Sequence, residues 1–336
     1  MISTESVVIT GGAGYIGSHT VVELFNNGYK PIIIDNLCNS SIKNIKGINK
    51  ILKTEIKWYD IDCTNYIKMK SVFEIEKNIS GCIHFAAYKS VEESMKDPKK
   101  YYENNIGSLE VLLRCMDESN VKNIIFSSSC TVYGMPDVLP VSEDTPFKKA
   151  ESPYGETKQL CERILEKNDF SSISLRYFNP IGSHSSLLIG DCSVDKANNL
   201  VPIIVEVALG IREVLIVNGN DYETHDGTCI RDYIHVEDLA RAHVNAYIYL
   251  LKNKTKKMAF NVGAGKGLSV LDIIDSFQNT NGININYKIG SRRLGDIEKI
   301  FSNNNLITKE LRWKSEKTLE QALESAYLWK KDKTRK

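Results

Sequence analysis

At 336 residues, 42% hydrophobic and 25% charged, the chain has the composition of a soluble globular protein, long enough for a sizeable core and two lobes. A formal net charge of +1 gives no reason to expect nucleic acid as a partner, and Lys-rich tracts such as 252–257 read as solvated loop. Apolar runs such as 201–211, broken by Glu206, are too short for a membrane span.

In chain order, residues 1–5 lack a basic n-region and lead straight into a strand, which argues against a cleaved signal. That strand, Ser6-Val7-Val8-Ile9-Thr10, ends in Gly11-Gly12-Ala13-Gly14-Tyr15-Ile16-Gly17 and continues as a helical pattern closed by Gly28. Strand, glycine-rich turn and helix form a dinucleotide-binding signature. Gly11 allows the tight turn, Gly14 the approach of a pyrophosphate to the helix N-terminus, and Gly17 close helix packing. A second strand, 30–34, ends at Asp35, where an acid accepts hydrogen bonds from an adenosine ribose diol and repels a 2′-phosphate; NAD is therefore expected over NADP. A third strand, 56–59, runs into Asp60-Ile61-Asp62, whose acid either meets the adenine amino group or caps the helix 66–76. The fourth, 81–87, ends in the small residues Ala86 and Ala87, leaving room for a cofactor, with Lys89 beyond; His84 within it reads as a core histidine. A helix opens at 101–105 with Ile106, Leu109, Leu112, Leu113 and Met116 as its apolar face, and a fifth strand, 121–129, carries a hydroxyl, Ser129, at its carboxyl end.

Ser152-Pro153-Tyr154-Gly155-Glu156-Thr157-Lys158 opens the next helix. Tyr154 and Lys158, four residues apart, share one helical face. A phenol with a reference pKa of ~10 is a poor base at neutral pH, and lowering it by about three units takes roughly 4 kcal/mol of differential stabilisation. A nearby ammonium and a positively charged nicotinamide both act in that direction, which makes Tyr154 the expected general base, with Ser129 beside it. A sixth strand, 172–178, is broken by Asn179-Pro180.

Alternation of strands and helices predicts a Rossmann-type, doubly wound parallel α/β sheet over residues 1–180. Beyond Ile181 the regularity falls, as expected of a smaller α/β lobe over 181–336 that binds substrate; a helix at 237–251 and a strand at 259–263 are candidates to pack back on the first lobe. The eight cysteines are scattered, without CxxC or His at ligand spacing, so no metal site is expected and the thiols read as reduced, in a cytoplasmic protein.

The glycine motif, Ser129 and Tyr154-x-x-x-Lys158 together resemble the extended short-chain dehydrogenase/reductase family. The longer runs at 10–20, 35–40, 127–134, 176–180 and 231–236 are similar to its UDP-glucose (UDP-galactose) 4-epimerases, from Val7 to about Trp329. The resemblance implies a tightly held NAD, reduced and reoxidised within one turnover. Tyr154 removes the C4 hydroxyl proton of the hexose, Ser129 shares the hydrogen bond, Lys158 binds the nicotinamide ribose, and a 4-keto sugar turns before reduction on its other face. Cofactor contacts then fall on Tyr15, Ile16, Asp35, Asn36, Asp60, Ile61, Phe85, Ala86, Lys89, Asn104 and Tyr177, besides the glycines and the catalytic residues. Nucleotide-sugar contacts fall on Thr131, Phe178, Asn179, Asn199, Leu200, Arg231, Arg293, Asp296 and Ile300. Two arginines suit a pyrophosphate, and Asp296 a ribose diol.

The resemblance also implies a homodimer pairing the helices that begin near Asn104 and Tyr154. Three departures stand out: Asn218 where the family has an aromatic on uracil, Ile300 of intermediate bulk where size decides on N-acetylated sugars, and Cys130 in place of a small Ala. Related dehydratases carry an Asp-Glu pair at the positions of Cys130 and Thr131, and related decarboxylases a Glu at that of Thr131; the absence of a carboxylate here counts against both, and the presence of Tyr154, Lys158 and Ser129 counts against a non-catalytic dinucleotide sensor.

Overall fold

The apolar strand sequences alternate between two faces, and each face is buried under its own layer of helices. The protein's structure, a computed structural model, describes residues 5–193, 197–253, 257–293 and 296–334; residues 1–4 of the N-terminal reading and 254–256 of the Lys-rich tract lie outside them. The first half runs β1 (Ser6–Thr10), α1 (Tyr15–Asn26), β2 (Lys30–Ile34), α2 (Ile42–Leu52), β3 (Lys57–Tyr59), α3 (Tyr66–Ile75), β4 (Ile79–His84), α4 (Val91–Lys96) and α5 (Pro98–Tyr101). A single π-helical turn (Tyr102–Ile106) leads into α6 (Gly107–Glu118), then β5 (Asn123–Ser129), a 3₁₀ turn (Cys130–Tyr133), α7 (Pro153–Lys167) and β6 (Ser171–Tyr177). The remainder comprises β7 (Asn179–Ile181), α8 (Leu200–Ala208), β8 (Leu215–Asn218), β9 (Ile230–His235), α9 (Val236–Asn253), β10 (Lys257–Val262), β11 (Gly267–Ser269), α10 (Val270–Asn281), β12 (Tyr287–Gly290), β13 (Lys299–Ile300), α11 (Asn305–Leu311) and α12 (Leu319–Thr334).

Seven parallel strands form the central sheet in the order β10-β6-β5-β4-β1-β2-β3, the doubly wound arrangement expected from the sequence. Val7, Ile9, Ile33, Ile83 and Ile125 point to one face, into a core with α1, α2 and α9; Val8, Ile32, Ile34, Ile124 and Phe126 point to the other, against α3, α6 and α7. Strands buried on both faces read as unbroken apolar runs, which is why they stand out in the sequence. Strand β10 joins the sheet through β6, and α9 packs beside α1. Asn179 and Pro180 do more than end β6: they open β7, which pairs with β9 in a second sheet, β11-β9-β13. Around it α8, α10 and α12 enclose a separate core, and β8 pairs β12 at its margin.

The helix expected to open at Tyr101 is divided into α5, the π turn and α6. Asp97 caps α5 by accepting from Lys100 N at 3.2 Å, and the wide turn carries Asn105 inward to 2% exposure. Among the described residues no helix is long and apolar enough to cross a membrane, and all eight cysteines are free thiols.

Strand β6 and helix α7 are joined by a buried ion pair. Arg176 donates from Nε to Glu162 Oε1 at 3.0 Å and from Nη2 to Oε2 at 2.7 Å, both side chains only 9% exposed, and Ser128 Oγ donates to the same carboxylate. Removing one partner strands the other's charge in the interior, so Arg176→Met is expected to cost roughly 3–5 kcal/mol. Pairing it with Glu162→Leu should recover much of that loss, both read as shifts of the urea unfolding midpoint.

Candidate active site

The carboxyl ends of the parallel strands β1, β2, β4, β5 and β6 lie along one edge of the sheet; the predicted cofactor and catalytic groups stand on the loops and helices that follow the sheet strands, and most of the predicted nucleotide-sugar groups stand on the second lobe. After β1 the chain turns through Gly11 (φ 71°), where a Cβ would stand 2.8 Å from Ala86 N; at Gly17 it would stand 2.3 Å from Gly11 O. Gly14 is the N-cap of α1, with no side-chain cap bond and no acidic residue in the first turn. Those bare amides and the positive helix end fit a pyrophosphate. Asp35, 7% exposed, accepts from Ala13 N at 3.0 Å on Oδ2 and from Leu37 N at 2.9 Å and Ser40 Oγ at 2.8 Å on Oδ1. Burial, opposed by these bonds, raises its pKa. Its carboxylate retains one acceptor position, on Oδ2, for a ribose hydroxyl.

Asp60 is exposed, and the cap of α3 is Asn65, which accepts from Lys68 N at 3.1 Å; the capping role weighed for the 60–62 acids falls on that residue. Asp62 binds Thr64 N at 2.8 Å and Asn36 Nδ2 at 3.3 Å, with Ile61 buried between the two acids. Beyond β4, Phe85 and Ala86 are half-buried and Lys89 exposed, its Nζ 3.2 Å from Ser193 Oγ. His84 is a core histidine, 2.7 Å from Thr10 Oγ1, with its pKa lowered to about 3 by burial.

At the end of β5, Ser129 Oγ accepts from Thr131 N at 3.3 Å and acts on the phenol of Tyr154. Tyr154 lies in the first turn of α7, where Ser152 Oγ caps Gly155 N at 3.2 Å and Pro153 occupies the first helical position. Gly155 lets that turn approach Thr131, since a Cβ there would lie 3.3 Å from Thr131 O.

The expected lowering of the phenol by Lys158 is not found. Lys158 Nζ donates to Ser127 O at 2.7 Å and stands 5.9 Å from the Tyr154 ring centre, and burial pushes the phenol up to about 12 against the Ser129 hydrogen bond. Burial likewise lowers Lys158 to about 8. Desolvation outweighs one ammonium held at that distance, so lowering the phenol would take a further positive charge, such as an oxidised nicotinamide would supply.

Tyr177, paired across the strands with Ser129, hydrogen-bonds Ser127 Oγ through its hydroxyl. Asn104, in the π turn, donates to Asn105 Oδ1 at 3.0 Å. Asn105 itself escaped the sequence reading: its amide accepts from Tyr88 N at 2.8 Å and donates to Tyr88 O at 3.1 Å and Thr157 Oγ1 at 3.2 Å, tying the β4 loop to α7. Only the doubled Asn104-Asn105 pair marks it in sequence.

On the second lobe, Arg231 Nη2 stands 3.6 Å from Asp296 Oδ1, and Arg293 forms a fork on the same carboxylate at 3.2 and 2.6 Å. The arginine pair and the acid are thus brought together, with Arg231 near enough for its charge to act on the Cys130 thiol beside Ser129. Thr131 Oγ1 is buried without a hydrogen-bond partner, a free polar group suited to a hydroxylated ligand. Ile300 is 1% exposed and belongs to one buried apolar cluster with Phe178 and Cys130. Asn179 begins β7, Asn199 is exposed just ahead of Leu200 in α8, and Asn218 ends β8 opposite Gly290.

The chain is similar to known proteins over nearly its whole length. Residues 7–263 match the NAD dependent epimerase/dehydratase family. The chain is 44% identical to the UDP-glucose 4-epimerase of Dictyostelium discoideum over 330 residues, 97% of this chain and 95% of that protein. Among solved structures it is similar to the Stenotrophomonas maltophila UDP-glucose-4-epimerase with bound NAD and formylated UDP-arabinopyranose (TM-score 0.95, 40% identity, 98% and 99% of the two chains). It is likewise similar to the Bifidobacterium longum UDP-glucose 4-epimerase in complex with NAD+ and UDP (TM-score 0.93, 40% identity, 98% and 99%). With likeness extending from the glycine loop of β1 through both lobes, the chain belongs to the NAD dependent epimerase/dehydratase family, on its UDP-glucose 4-epimerase branch.

Proposed function

We propose that this chain is an isomerase that interconverts UDP-galactose and UDP-glucose at C4, using NAD held at the glycine loop. The observation that carries the reading is the placement of Tyr154 against Ser129 at the carboxyl end of β5, with Lys158 behind them. NAD supplies a hydride acceptor, a hydride donor once reduced, and a positive charge while oxidised.

The chain's own residues do the rest. Tyr154, in hydrogen-bond reach of a C4 hydroxyl seated beside Ser129, holds that proton and returns it; Ser129 orients the oxygen; Lys158, fixed on the Ser127 carbonyl, keeps a cation behind the phenol. Arg231 and Arg293 are assigned to the pyrophosphate and Asp296 to a ribose diol, with Thr131, Phe178, Asn179, Asn199, Leu200 and Ile300 around the sugar and nucleotide. The cofactor contacts are those expected from the sequence.

We assign residues 1–180 to an NAD-binding domain and 181–336 to a nucleotide-sugar domain, counting α9 and β10 with the first. Two copies are proposed to pair through α6 and α7, where Val111 and Ile164 pack against the core yet remain half-buried, and the unpaired thiols support a cytoplasmic location.

Purified protein incubated with UDP-galactose and no added NAD should yield UDP-glucose, identified by chromatography; no conversion, with or without NAD, would overturn the reading. Tyr154→Phe should lower kcat on the order of 10²–10⁴-fold while NAD stays bound, measured by turnover and nucleotide content. Lys158, with its pKa near 8, is cationic below that pH and neutral above it, and the neutral amine no longer favours phenolate. The pH profile of log(kcat/KM) is therefore expected to bend downward above about pH 8, and this bend should be absent from the slower Lys158→Met variant.

A further inference from the structure

We infer that Asn44 is a positioning residue that clasps the glycine loop to a strap formed by residues 182–193, and that opening of this strap governs exchange of NAD. The inference rests on the NAD site proposed above.

The strap leaves β7 at Gly182, whose carbonyl accepts from the Tyr15 hydroxyl at 2.6 Å in the first turn of α1. It continues over α2, where a Cβ on Gly47 would lie 2.5 Å from Leu188 O, and ends beside Lys89 beyond β4, with Lys89 Nζ 3.2 Å from Ser193 Oγ and 4.0 Å from Asp191 Oδ2. One segment thus reaches the loops after β1 and β4, spanning the sheet edge where a dinucleotide lies.

Asn44 sits beneath it, 1% exposed, with both ends of its amide engaged. Nδ2 donates to Ala13 O at 3.0 Å and to Gly190 O at 3.1 Å; Oδ1 accepts from Gly190 N and from Cys192 Sγ, each at 3.4 Å. Two donors and two acceptor positions are all that an amide offers, and all are divided between the loop and the strap. Ala13 is gripped from both sides, because its N–H donates to Asp35. A side chain that merely filled space here would not need four directed bonds to two segments, one 31 and the other 146 residues away from it in sequence. The strap carries its own reporter, since Cys192 bonds Asn44 and is half-buried.

The experiment uses NAD-loaded protein. Exchange of bound NAD against isotopically labelled NAD is followed by mass spectrometry, alongside alkylation of Cys192 by iodoacetamide, for the wild type and Asn44→Ala. The variant is expected to exchange NAD at least ten-fold faster and to expose Cys192 in parallel. Its kcat at saturating NAD and its KM for UDP-galactose should stay within about two-fold of wild type. Unchanged exchange in a folded variant overturns the clasp. Should Asn44→Ala fail to fold, the wild type decides: NAD that exchanges faster than Cys192 reacts at saturating reagent passes without strap opening and overturns the inference. Protein that neither contains nor takes up NAD defeats the cofactor reading itself, a result distinct from NAD-loaded protein with unaltered exchange.

Discussion

The bond from the Lys158 ammonium to the Ser127 carbonyl sets the position of α7 on the end of β5, and the rest of the active edge follows from it. With that distance fixed, the first turn of α7 places Tyr154 over Ser129, and the hydroxyl of Ser127 holds Tyr177 on the neighbouring strand. The ammonium is 4% exposed, and its burial costs enough to bring the pKa to about 8. The carbonyl and the face of Phe126, 4.9 Å from Nζ, offset part of that cost. A cation retained in so dry a place, 5.9 Å from the Tyr154 ring centre, is what the proposed reaction asks for behind the phenol.

The second constraint is that, among the described residues, the seven-stranded sheet and the sheet around β9 share no strand pairing, yet the proposed site draws groups from both. They are coupled by buried polar chains. Asp232, on β9 and fully buried, accepts from Ala264 N at 2.7 Å, Gly265 N at 3.1 Å and Ser302 N at 3.1 Å, which gathers the ends of β10 and β13 onto one carboxylate. Gly263 permits this, because a Cβ there would lie 2.3 Å from Asp232 Oδ2. From the other side, Tyr133 donates to Asn261 Oδ1 at 2.7 Å and accepts from Arg176 at 3.1 Å, linking the turn after Ser129 to β10 and to the Arg176–Glu162 pair. Such fully satisfied networks hold the arginine-bearing lobe at a fixed distance from the phenol.

The legible parts of the site are those whose meaning is local. Gly11, Gly14 and Gly17 announce a tight turn against a helix end, Asp35 ends an unbroken apolar strand, and Tyr154 and Lys158 share a helical face, all within a few bonds along the chain. The π turn was hidden because Tyr102-Glu103-Asn104-Asn105 has ordinary helical composition; what widens it is the grip of Asn105 on Tyr88 and Thr157, 17 and 52 residues away. Asn44 was silent for the same reason, standing in an amphipathic helix with its partners in two distant loops. The cap of α3 fell on Asn65 instead of an earlier acid because the turn at Asp62 is closed by Thr64, which delays the helix by one short loop.

By itself the sequence determined the succession of strands and helices, the glycine loop that fits a pyrophosphate, and the identity of the hydroxyl, phenol and amine that meet at the edge of the sheet, since these depend on periodicity and on neighbours along the chain. Only the tertiary structure decided that β10 returns to the first sheet, that Arg231 and Arg293 close on one carboxylate, and that the phenol stands near 12 with the lysine near 8. The physical reason is that pairing across a sheet and the free energy of a buried charge depend on which distant groups exclude water from it, and that is set by packing.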